Sequence, residues 1–166
     1  MKGKLLVAGV GNIFLGDDAF GVEVIRRLSQ RLPEGAIVKD FGIRSYDLAF
    51  ALMDDWDLVI LVDALPRGGA PGTLYTLEPE LPQQGETPAT LDAHFMNPWA
   101  VLQLAGALGG KPPRMLVVGC EPETVEPDPD GKIGLSTPVG RAVEEAIRVI
   151  EDLIERKRNE NSCVTR

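Results

Sequence analysis

The sequence is poor in the residues that most often carry chemistry: one histidine, two cysteines, two Trp, two Tyr and five Phe in 166 residues. A lone histidine cannot be both the base of a nucleophilic triad and a metal ligand, and no His-Glu-x-x-His segment is present, so ordinary triad and zincin proteases are poor readings. Cys120 sits in an apolar stretch and Cys163 in a polar one, giving neither a Cys-x-x-Cys pair nor a disulfide framework; Cys120 reads as core. Long apolar runs are also missing. The run at 5–10 follows Lys2 and Lys4 but passes directly into Asp17 and Asp18, so neither a secretion signal nor a membrane span fits and a cytoplasmic protein is expected. Basic residues are the minority, 17 against 25 acidic, and the net charge of -8 repels nucleic-acid phosphate and anionic lipid, which argues against both as partners.

What is present is a globular composition, 44% hydrophobic and 25% charged, long enough to bury a core without disulfides or structural metal. A single domain is expected over residues 1–155. A mobile tail is expected over 156–166, where too few apolar residues remain to pack. A monomer is the default for so soluble a chain.

Short runs apolar on both faces, at 5–8, 36–38, 58–62 and 115–118, predict central parallel strands between two helical layers. The alternating segment 73–77, after Gly68, Gly69, Pro71 and Gly72, predicts an edge strand. Gly21, Ile25, Leu28 and Leu32 recur at helical spacing before Pro33 and Gly35, with Asp17 placed to cap the start. Asn97-Pro98 opens a helix closed by Gly109 and Gly110, Thr137-Pro138 opens a long one with an apolar stripe to Leu153, and 45–53 is a shorter candidate. Strands alternating with helices predict a three-layer α/β/α sandwich with a mostly parallel central sheet of about five strands. Its functional crevice would lie beyond the carboxyl ends of the strands.

Acidic residues gather at that rim. Gly9 and Gly11 after the first strand invite a dinucleotide reading, but Phe14 stands where the third glycine belongs, and Asp17 and Asp18 occupy the place of a pyrophosphate. Asp17 reads as a helix cap and Asp18 as a site residue. Asp63 leaves the run 58–62, Asp40 leaves the second strand and Glu121 the last, so several carboxylates crowd one edge and their repulsion raises some pKa values unless a cation relieves it. His94 lies in the connection before the helix at Asn97. One imidazole with the carboxylates of Asp18 and Asp63 suits nickel, zinc or iron and leaves positions open for water or substrate.

Taken together, Gly9-Val10-Gly11-Asn12 with Asp17-Asp18, Asp40-Phe41-Gly42, Val62-Asp63-Ala64, His94, Gly119-Cys120-Glu121-Pro122-Glu123 and Gly134-Leu135-Ser136 resemble the hydrogenase maturation endopeptidases over residues 4–155. The resemblance implies the fold derived above and an endopeptidase that removes the C-terminal extension of a nickel-iron hydrogenase large-subunit precursor after nickel insertion. It also implies that Asp18, Asp63 and His94 contact the metal and carry catalysis. Nickel would be supplied by the precursor as the recognition element, with another divalent metal able to enter in isolation. Where many members have a Gly-Gly-Thr type stretch, this chain reads Asp40-Phe41-Gly42-Ile43-Arg44, so Asp40, Gly42 and Arg44 are candidate substrate contacts; Arg44 can equally pair with Asp40 or Asp47. Two other readings stand beside this one: a noncatalytic partner of the nickel-loaded large subunit, and a magnesium-dependent phosphohydrolase using Asp63. The latter lacks its second aspartate, Leu65 standing there instead.

Overall fold

The computed structural model describes residues 4–79 and 98–163. Strands β1 (Leu5–Val10), β2 (Ile37–Gly42), β3 (Leu58–Ala64), β4 (Leu74–Leu77) and β5 (Met115–Cys120) form one sheet in the order β2-β1-β3-β5-β4. All pairings are parallel except that of β4 with β5. Helices α1 (Phe20–Arg31), α2 (Ser45–Ala51), α3 (Pro98–Ala107) and α4 (Thr137–Cys163) cover the sheet, and a 3-10 turn, Gly16–Ala19, leads into α1. This is the expected α/β/α sandwich.

Side-chain alternation along the central strands builds its two cores. Leu5 and Val7 of β1 with Leu58, Ile60 and Val62 of β3 pack against α1 and α4, while Leu6, Ala8 and Val10 with Val59 and Leu61 pack against α2 and α3. Every residue of β1 and β3 is buried, as their unbroken apolar runs require.

Two expectations are corrected. The second strand was expected among the central ones, but β2 is an edge: only Phe41 is buried, Ile37 is 56% exposed, and the strand continues from its apolar start to Gly42. Lys39 and Asp40 are tolerated because one side of β2 has no neighbouring strand to exclude water. The segment from Arg156, where a mobile tail is expected, is helical as far as Cys163 in continuation of α4. There Lys157 pairs with Glu160 and Arg158 with Glu34. Leu32, expected on the buried stripe of α1, lies just past its end at φ +49° and 80% exposed.

The strand order positions the site. From β1 the chain passes outward through α1 to β2, then returns through α2 to β3 on the other side of β1. The two connections cover opposite faces, so they part beyond the carboxyl ends of β1 and β3 and leave a crevice there.

Candidate active site at the strand ends

Both sides of that crevice present a carboxylate. β1 ends at Val10, and Gly11 takes φ +144° because the chain must pass against the turn carrying Asp18: a Cβ at Gly11 would lie 1.8 Å from the Asp18 carbonyl oxygen. The Asn12 amide then donates to Asp18 Oδ2 at 2.8 Å. Across the crevice, Asp63 occupies the penultimate position of β3, one residue beyond the last pairing with β1. Gly21 draws the two sides together. With no side chain, it lets α1 rest directly on the carbonyl oxygens of Val10 and Val62, which a Cβ would approach to 2.3 and 2.2 Å.

Asp18 and Asp63 are 5% and 4% exposed. Burial pushes the Asp63 carboxyl well above the usual aspartate range, the charge of Asp18 pushes it further, and a hydrogen bond from the Ala64 amide opposes both. Two desolvated like charges that feel each other favour holding a proton or sharing a cation. Asp18 and Asp63 offer carboxylate oxygens, donors of a kind that divalent metals accept. His94 lies outside the described residues, and among the described residues no group of three or more His, Cys, Asp or Glu side chains could hold a metal ion.

The expected crowd of acids is smaller than the sequence suggested. Glu121 is buried, but despite the opposing effect of burial its carboxyl is held below the ordinary value by the Arg67 amide at 2.8 Å, the Tyr75 hydroxyl at 2.8 Å and the amides of the 68–69 turn, Gly68 at 3.1 Å. Its charge is spent on fastening the loop after β3. Asp40 is exposed and accepts from the Gly42 amide at 2.7 Å, closing its own turn.

Asp17 is also corrected. Neither the 3-10 turn nor α1 has a side-chain cap, and Asp17, fully buried, turns the other way. It accepts from the amides of Glu123 (2.8 Å), Thr124 (3.2 Å) and Ser136 (2.7 Å) and from the Ser136 hydroxyl (2.8 Å). No local pattern could disclose partners more than a hundred residues away, although Ser136 belongs to the Gly134-Leu135-Ser136 stretch already singled out. Cys120 is core, as expected. Burial, and then the charges of Asp17 and Glu121, push its thiol up to about 12, so it is no nucleophile at neutral pH.

Beside the crevice a groove of about 340 Å³ is lined by Asn12, Phe14, Asp40, Gly42, Ile43 and Arg44 among others. Asn12 belongs to both, so the groove leads to Asp18. Gly42 adopts φ +53°, and its carbonyl receives the Gly11 amide at 3.0 Å. The Arg44 guanidinium reaches the carbonyls of Asp40 (2.5 Å) and Phe41 (3.1 Å) and pairs with Asp47 at 3.5 Å. Phe14 (63%), Ile43 (69%), Tyr46 (67%) and Phe50 (57%) leave apolar surface exposed on the groove wall and α2.

Known proteins share this architecture and sequence. The chain is 33% identical over 154 residues to the hydrogenase 2 maturation protease of Escherichia coli, covering 89% of this chain and 88% of that protein. It is 32% identical over 158 residues to the coenzyme F420 hydrogenase subunit delta of Methanothermobacter thermautotrophicus, covering 91% and 94%. The solved structure of the hydrogenase maturating endopeptidase HybD from E. coli superposes with a TM-score of 0.71 at 30% identity, over 92% of this chain and 93% of its own. A family model described as hydrogenase maturation protease matches residues 22–153, and on that span and these identities the chain belongs to the hydrogenase maturation protease family.

Proposed function

We propose that this chain is the endopeptidase that removes the C-terminal extension of a nickel-iron hydrogenase large-subunit precursor once nickel has been inserted, and that the nickel borne by the precursor is its recognition element. The observation that supports this reading most is the pairing of Asp18 and Asp63 in the crevice at the ends of β1 and β3, where a shared cation would relieve their repulsion. Asp18, Asp63 and His94 engage the metal, which supplies Lewis acidity toward a carbonyl or a water. Without a cation Asp63 is the carboxyl most inclined to hold a proton, and engagement of the metal would displace that proton. The groove carrying Asp40, Gly42 and Arg44 binds the chain leading to the scissile bond, and its apolar rim suits a protein client better than a small molecule. Holding that bond beside the two carboxylates is the larger part of the catalytic effect.

Among the described residues no helix is long and apolar enough to cross a membrane. Incubation with nickel-loaded precursor, followed by intact mass, tests the activity. Loss of the extension is expected, and an intact extension overturns the reading. A second reading, a noncatalytic partner of the nickel-loaded large subunit, is supported by the relative named as a hydrogenase subunit. It predicts stable binding in the same mixture with the precursor's mass unchanged.

A further inference from the structure

We propose that Asp17 is the positioning residue for Asp18, with Ser136 as its essential partner. The inference rests on the reading of Asp18 as a site carboxylate and adds what holds it there.

Asp18 stands in a four-residue 3-10 turn, a weaker frame than an α-helix, and no side chain caps that turn or the helix after it. Its placement is therefore set from outside. On one side the turn leans on Gly11 and Asn12. On the other, Gly16 at φ +54° packs so near the Thr124 carbonyl that a Cβ would come within 2.9 Å, and the Asp17 amide donates to that carbonyl at 2.8 Å. The Asp17 carboxylate then collects donors from both ends of the irregular connection between β5 and α4: Glu123 and Thr124 where it begins, Ser136 where it ends. A buried charge receiving four hydrogen bonds is a rigid junction, because charge-assisted bonds are short and strong and any unpaired donor left behind is costly. Asp17 and Asp18 are adjacent in the chain, so a rotation of the turn that breaks the junction also swings Asp18 away from Asp63. Displacing a catalytic group by about 1 Å costs roughly a hundred-fold in rate.

The test uses the full chain with nickel-loaded precursor and reads kcat and KM from the appearance of processed product. Ser136→Ala removes the hydroxyl bond but keeps the backbone donor; we expect kcat to fall about ten-fold with KM within about two-fold, and Ser136→Thr to restore the rate. Asp17→Asn faces at least one donor with another donor, and its kcat is expected to fall roughly a hundred-fold. Ser136 variants decide the matter even if Asp17→Asn fails to fold. Ile150→Val, about 20 Å along α4 from Ser136 at 1.5 Å per residue, controls for general destabilisation and should keep wild-type kcat. A Ser136→Ala enzyme at full kcat, or one slowed no more than Ile150→Val, overturns the proposal while Asp18→Asn remains inactive. Full processing by Asp18→Asn would instead sink the reading of Asp18 itself, and the positioning role with it.

Discussion

Gly21 of α1 lies so close to the carbonyl oxygen of Val62 in β3 that an added Cβ would come within 2.2 Å of it. The contact brings the turn bearing Asp18 against the strand bearing Asp63. Gly21→Ala must push α1 off the sheet, because the obstructing atoms are backbone. Overpacking of this kind costs about 1–3 kcal/mol, or roughly 2–4 °C in Tm per kcal/mol for a chain of this size. Processing activity should fall by more than stability alone explains. A thermal melt and a turnover assay on the variant check both, and an unchanged Tm would show that the helix has room to yield.

Asp63 destabilises the fold that uses it. Its folded carboxyl is pushed well above the ordinary value of 3.8, by burial first and by Asp18 second. Below the ordinary value it is protonated in both folded and unfolded states and costs nothing. As pH rises through the folded value the unfolded state releases its proton more readily, and stability is lost. Asp63→Asn should therefore raise Tm at pH 7, by roughly 2–4 °C for each kcal/mol relieved, and have little effect near pH 3.5. It should also abolish processing. Melts of the two proteins across that range decide the point; equal Tm at pH 7 would mean that the charge is already compensated in the fold.

His94→Ala is expected to reduce processing below about 1% of wild type, the scale of losing a group that engages the reacting centre, with the circular dichroism spectrum unchanged. The expectation comes from the family resemblance and from the two buried carboxylates that lack a third ligand among the described residues. Unimpaired cleavage by a folded His94→Ala protein would remove the imidazole from the site.

Arg44 distinguishes substrate binding from loop structure. Its guanidinium is half exposed in the groove and touches two carbonyls and Asp47. An exposed ion pair contributes about 0–1 kcal/mol, so Arg44→Ala should change Tm by no more than a few degrees. As a substrate contact, it should raise KM about ten-fold with kcat nearly constant. A lowered Tm with unchanged KM would assign Arg44 to the loop alone.

The legible parts of this protein were those governed by local periodicity. β1, β3 and β5 are apolar on both faces because helices cover both faces, and that pattern is visible in a single strand's sequence. The start of α4 at Thr137-Pro138 and the close of α3 at Gly109, with φ +91°, follow equally local rules. β2 was misplaced because three apolar residues look alike at an edge and at the centre. A strand-end aspartate in the sequence was enough to place Asp63 at the carboxyl end of β3. The same reasoning wrongly enlisted Glu121, whose carboxylate the loop at Arg67 and Gly68 had already satisfied.

By itself the sequence determined the layers, the three buried strands and the rim at which Asp18 and Asp63 meet, since strand direction and hydrophobic period settle where a strand's last residue emerges. Only the tertiary structure decided which partners each of these carboxylates meets. Asp17 and Glu121 find donors far along the chain, Asp63 finds Asp18, and a carboxyl's proton affinity depends on the water it has lost and the charges it has gained, neither of which is written in its neighbours along the chain.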